Sequence, residues 1–192
     1  MAFNRFPFAP ATYLFPQASD VFQYQKGYAA HFKLLPHVIL NAKVTICNWN
    51  KKEWTITLKS GEQHHFDRIM ITNGHYHKPH FPSIGGIESW GDGNRTISHS
   101  AFYREPSRYA GRRVLVIGNG PSGSDIGREI SQVAEETFIA GRNQVRDDTG
   151  VVKLRPAVVE LLTTPEGNAV YQDGTVDRNI DDILLATGYE YR

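Results

Sequence analysis

The most constraining feature of this chain is the run Val114-Leu115-Val116-Ile117, which leads directly into Gly118-Asn119-Gly120-Pro121-Ser122-Gly123. Four apolar, mostly β-branched residues read as a buried strand. Pro121 is suited to the first turn of a helix, and the pattern predicts a helix over Pro121–Val133. A strand, a glycine-rich turn and a helix in immediate succession form a phosphate cradle. Gly118 permits the tight bend, Gly120 removes a side chain that would block a pyrophosphate, and Gly123 lets helix and strand pack closely. The free amides and the positive helix end then face the phosphates. Ser122 and Ser124 can add hydroxyl donors beside Pro121. The expected fold class is α/β, a Rossmann-like nucleotide-binding domain. The competing reading is a purely structural glycine turn.

The next strand distinguishes between cofactors. A site for NAD usually carries an acid roughly 20 residues beyond the glycines, where it grips the ribose 2′-hydroxyl. Here Thr137-Phe138-Ile139-Ala140 runs into Gly141-Arg142, and no acid follows until Asp147. A guanidinium suits a 2′-phosphate, so Arg142 points to NADP(H).

Elsewhere the chain alternates short apolar runs with turns. Residues 1–17 read as irregular: Phe3, Phe6, Phe8, Tyr13 and Phe15 are interrupted by Pro7, Pro10 and Pro16. Ser19 or Asp20 is placed to cap a helix running to about Phe32. Strands are expected over His37–Leu40, Ala42–Asn48, Glu53–Leu58 and His64–Thr72, with a turn at Ser60-Gly61-Glu62. Later candidates are Ala169–Tyr171 and Asp182–Ala186, with Asp173-Gly174 turning between them and unresolved strand content over Gly150–Leu162. Glycines and prolines from Asn73 to Gly86 read as a connector. The division expected is residues 1–80 as a partial domain, which the family resemblance given below makes a flavin-domain remnant, and 81–192 as the NADP-binding domain. Phe66–Gly74 and Ile180–Gly188 share one pattern: an acid, a buried apolar strand and a small-polar-glycine exit. Such exits lie at the ligand crevice of parallel sheets, so the echo implies two halves on one plan.

Composition mainly excludes. The chain has 192 residues, enough for one large domain or two small ones, and its net charge of +1 gives no pull toward nucleic acid or anionic lipid. No run approaches the ~18 apolar residues of a spanning helix, and the Phe- and Pro-rich start does not read as a signal peptide. One cysteine, Cys47, excludes an internal disulfide framework and fits a reducing, cytoplasmic setting. Its place in Val44-Thr45-Ile46-Cys47 suggests a small buried residue. His75-Tyr76-His77-Lys78-Pro79-His80 lacks the helical spacing, cysteines and carboxylates of a metal site, so none is expected. Gly120-Pro121-Ser122-Gly123 is not a nucleophile elbow.

With these residues in hand, the chain resembles the flavin-containing monooxygenases. Ile97-Ser98-His99-Ser100-Ala101-Phe102-Tyr103 is similar to the family's identifying segment, with His99 and Tyr103 at its His-x-x-x-Tyr spacing. Trp90-Gly91-Asp92-Gly93 stands, farther away, for its Phe-x-Gly. Asn73-Gly74-His75-Tyr76 and Leu185-Ala186-Thr187-Gly188-Tyr189 look like its crossing segment and its return link. The resemblance implies NADP(H) and FAD as cofactors, with O2 and a small nucleophilic nitrogen or sulfur compound as co-substrates. It implies that Gly118, Gly120, Pro121, Ser122, Gly123, Ser124 and Arg142 hold NADP. His99 and Tyr103 would line the adjoining loop, Val44 would offer backbone to the FAD adenine, and Asn73 and Gly74 would lie near the flavin. The family opens with its own strand and G-x-G-x-x-G for FAD, which this sequence does not carry, so a fragment is expected and no catalytic side chain is assigned. A non-catalytic NADP-binding module is the alternative. Ketone-oxidising monooxygenases share the general plan, whereas a disulfide reductase would want a cysteine pair.

Overall fold

The computed structural model describes residues 2–91, 94–164 and 166–190. Residues 1–72 and 73–192 form two compact units.

In the first unit, helix α1 spans Ala18–His31. The sequence pointed to Ser19 or Asp20 as its cap, but the cap is Gln17, two or three residues earlier. Asp20 sits inside the first turn, where its carboxylate accepts the Gln17 N–H at 3.0 Å. The aromatic start is only partly irregular surface. Phe3, Phe6 and Phe8 pack on Tyr24, whose hydroxyl accepts from the Phe3 amide at 2.7 Å and donates to the Phe6 carbonyl at 2.6 Å. Tyr13 and Phe15 remain exposed.

Strands β1 (Val44–Trp49), β2 (Trp54–Leu58) and β3 (Gln63–Phe66) form an antiparallel sheet in the order β1-β2-β3. Only the middle strand buries side chains, Ile56 and Leu58. β1 is exposed along its length, so Cys47 is exposed rather than buried. The strand expected over His37–Leu40 is instead a 3-10 turn at Leu35–His37 followed by unpaired chain, because Pro36 presets the turn and removes a donor. The strand expected over His64–Thr72 stops at Phe66. Beyond it Met70 and Ile71 stand 87% and 72% exposed. The echo therefore fails in its first copy: a strand needs neighbours to take its backbone hydrogen bonds, and no strand in the described residues lies beside residues 67–72.

The second unit contains β4 (Lys78–Pro79), β5 (Thr96–His99), β6 (Arg113–Ile117), helix α2 (Pro121–Ile130) and β7 (Glu136–Ala140). It continues with β8 (Val152–Arg155), β9 (Val158–Leu162), β10 (Asn168–Tyr171), β11 (Val176–Asp177), β12 (Asp182–Leu185) and β13 (Tyr189–Glu190). A five-stranded parallel sheet has the order β5-β12-β6-β7-β8. β9, β10 and β11 make an antiparallel sheet, and β4 pairs with β13. The second copy of the echo, β12, has the neighbours its counterpart lacks. Asp173-Gly174 turns β10 into β11 rather than into β12, with Gly174 at φ +81.

The strand period of two sorts the core into two layers. Leu115, Ile117, Phe138, Ile183 and Leu185 face Leu161, Ala169, Tyr171 and Trp90. Val114, Val116, Ile139 and Leu184 face Ile130 of α2 and Tyr109. α2 ends at Ile130, three residues before the expected end. It lies close to the sheet because Gly127 has no Cβ to press on Ile139.

Candidate nucleotide-binding site

The glycine turn joins β6 to α2 at the carboxyl edge of the parallel sheet, where open α/β folds bind ligands. Gly118 sits at φ +118, and a Cβ there would overlap the carbonyl of Ala186, just past β12. A Cβ on Gly123 would overlap the carbonyl of Gly118. A Cβ on Gly120 would meet nothing within 4 Å. Two of the three glycines are thus required by packing, and the third faces open space.

α2 carries no side-chain cap. Its first internal bond runs from the Ser124 amide to the Gly120 carbonyl at 3.0 Å. Pro121 has no amide to leave unsatisfied, and the amides of Ser122 and Gly123 have no partner within the helix. Ser122 is exposed, whereas the Ser124 hydroxyl donates to the Asn119 carbonyl at 3.5 Å and braces the turn.

The cleft over this turn has a volume of about 570 Å³. Ala140, Gly141 and Arg142 line one end, and His80, Ser83 and Thr187 line the other. Arg142 is exposed, and no carboxylate among the described residues pairs with it. Gly141 is tight for a reason the sequence did not reveal: a Cβ would overlap the Asn119 amide, which lies against the strand exit. At the far end the Thr187 hydroxyl donates to the His80 carbonyl at 2.5 Å. Sequence reasoning missed His80, Ser83 and Thr187 as cleft residues, since they follow from how the β12 exit folds beside residues 80–83.

The other candidates occupy different surroundings. His99, at the end of β5, is 1% exposed. Its Nδ1 accepts from the Ala101 amide at 3.1 Å, so Nε2 carries the proton. That Nε2 is buried without a hydrogen-bond partner among the described residues, and the Phe81 and Tyr189 rings flank the imidazole. Burial holds its pKa below the usual histidine value, against a weaker opposing pull from the Gly188 backbone, with nearby His80 adding to the lowering. Tyr103 turns away from the glycine turn, and its hydroxyl donates to Glu129 of α2 at 2.8 Å. Burial and that carboxylate push its pKa up. Trp90 is fully buried in the core with Arg95 over its ring, while Asp92 and Gly93 lie outside the described residues. Val44 begins β1 in the first unit. Asn73 opens the second, followed by Gly74 at φ +70, whose carbonyl meets His77 Nε2 at 3.1 Å. Among the described residues no group of three or more His, Cys, Asp or Glu side chains could hold a metal, and no helix is long and apolar enough to cross a membrane.

Comparison with known proteins adds to this geometry. A family model described as flavin-binding monooxygenase-like matches residues 1–147. The chain belongs to this family. Among its relatives, the flavin-containing monooxygenase FMO GS-OX5 of Arabidopsis thaliana is 31% identical over 209 aligned positions, covering 100% of this chain and 44% of the relative. The thiol-specific monooxygenase of Saccharomyces cerevisiae is 29% identical, covering 100% of this chain and 46% of the relative. The solved S-allyl-L-cysteine S-oxygenase of Allium sativum superposes with a TM-score of 0.84 at 27% identity, covering 100% of this chain and 46% of that one. This flavin-binding monooxygenase-like chain therefore spans about half the length of these relatives and shares their α/β fold.

Proposed function

We propose that this chain holds NADP(H) along the carboxyl edge of its parallel sheet, as the nicotinamide-cofactor half of a flavin-dependent monooxygenase. The observation that carries this reading is one cleft holding both an open glycine, Gly120, and a guanidinium, Arg142, that no carboxylate among the described residues pairs with. The amides of Ser122 and Gly123 and the positive end of α2 fit a pyrophosphate. Arg142, at the exit of β7, fits a 2′-phosphate, and the end lined by His80, Ser83 and Thr187 takes the nicotinamide half. His99 would stay neutral beside that end. Bound NADPH would supply the reducing equivalents and bound FAD would use them to activate O2.

The described residues contain one strand–glycine turn–helix cradle, so they fit one dinucleotide. Val44, Asn73 and Gly74 are proposed as FAD contacts on the resemblance alone. A soft nucleophilic nitrogen or sulfur is the proposed oxygen acceptor. Sulfur is favoured because the relatives include a thiol-specific monooxygenase and an S-oxygenase. The second reading is a non-catalytic NADP-binding module.

Calorimetry with NADP⁺ and NAD⁺ tests the first reading. NADP⁺ should bind more tightly, and Arg142→Ala should weaken NADP⁺ on the order of tenfold more than NAD⁺, the scale of one charge-assisted contact. Equal losses would remove the 2′-phosphate role. The visible spectrum with added FAD separates the two readings. Flavin bands that bleach with NADPH mark an oxidoreductase, and NADPH binding without retained flavin marks a module. The chain alone should retain FAD poorly, and tight stoichiometric FAD would contradict that expectation.

A further inference from the structure

Among the described residues Arg142 has no carboxylate partner, and it stands beside two arginines that are fully committed. The loop from Gly141 to Val151 folds back on β8 through a reciprocal pair of backbone bonds between Asp147 and Leu154, at 3.1 and 2.8 Å. Each acid in this region already has partners. Asp147 accepts from the amide and hydroxyl of Thr149 at 2.9 and 2.7 Å. Asp148 pairs with Arg146 Nε at 3.1 Å and with Arg155 Nη2 at 2.7 Å. Asp177 of β11 pairs with Arg155 Nε at 2.5 Å and with Arg146 Nη2 at 3.2 Å.

This cluster adjoins the cleft. Arg155 lies in register with Ala140, the last residue of β7, and its carbonyl accepts the Gly141 amide at 3.1 Å. The two guanidiniums of Arg146 and Arg155 balance the two carboxylates of Asp148 and Asp177, so the positive charge of Arg142 is left uncancelled two residues past Ala140. A free carboxylate at such a strand exit would accept the 2′-hydroxyl of NAD and repel a 2′-phosphate.

We propose that Arg146, with Arg155 behind it, is a specificity-determining residue for NADP(H): it holds Asp148 and Asp177 neutralised so that the 2′-phosphate meets Arg142 alone. The proposal rests on the NADP(H) reading above. Arg155 is buried and its loss endangers folding, so Arg146, whose side chain is one-third exposed, is the residue to change. The full chain and its Arg146→Ala variant are titrated with NADP⁺ and with NAD⁺ by calorimetry, after thermal melts show both folded. The preference for NADP⁺ over NAD⁺ should fall on the order of fivefold, the scale of one screened charge at a partly exposed site. Asp148→Asn added to Arg146→Ala should restore most of it. Equal weakening of both nucleotides, or no rescue by the second change, would overturn the proposal and leave Arg146 with a structural role. If the unaltered chain binds neither nucleotide, the NADP(H) reading itself fails, which is a different result from an unchanged preference.

Discussion

Three glycines in one motif have separable jobs. Gly123 is closed by the Gly118 carbonyl, so Gly123→Ala should cost about 1–3 kcal/mol in urea unfolding, as buried overpacking does. Gly120 has φ −72 and open space where a Cβ would go. Gly120→Ala should therefore leave stability unchanged or raise it by about 0.4–1 kcal/mol, through a less flexible unfolded chain. It should still weaken NADP⁺ binding, because the new methyl group occupies the pyrophosphate's place. A Gly120→Ala protein that is both stable and fully competent to bind NADP⁺ would contradict this assignment. The motif was legible because its geometry is local: each glycine's requirement arises within a few residues or from the neighbouring β12 exit. The Gly141–Asn119 contact and the Arg155–Asp177 pair were not legible. Their partners are 22 residues apart in each case, and no spacing rule links them.

Elements with a periodic or punctuated sequence were read well. β6, α2 and β7 fall within a few residues of their expected bounds, since buried alternation and Pro121 mark them. Errors came where the pattern was right but a pairing partner was missing, as in residues 67–72, or where one proline outweighed an apolar run, as at Pro36. Helix–sheet contact supplies a graded test at this level. A Cβ on Gly127 would press on Ile139 Cδ1, the movable tip of a side chain. Helix propensity favours alanine over glycine by about 1 kcal/mol, so Gly127→Ala should stay within about 1 kcal/mol of the parent protein. Gly127→Val brings two more carbons into the same contact and should cost about 1–3 kcal/mol. Thermal melts of the two variants distinguish a packing constraint from mere tolerance of small residues.

For the molecule as a whole, the order of strands in space departs from their order in the chain. β12 lies between β5 and β6 and forms a parallel ladder with each. Its residues 182–185 follow β6 by more than sixty positions in the sequence. On the ribosome, β5 and β6 emerge with a gap between them and wait several seconds at roughly 5–20 residues per second before the strand that joins them is made. During that interval two hydrogen-bonding edges stand open, the condition under which nascent chains pair with one another. Production of this protein should therefore depend on chaperone supply and on translation speed between β6 and β12, independently of how stable the finished sheet becomes.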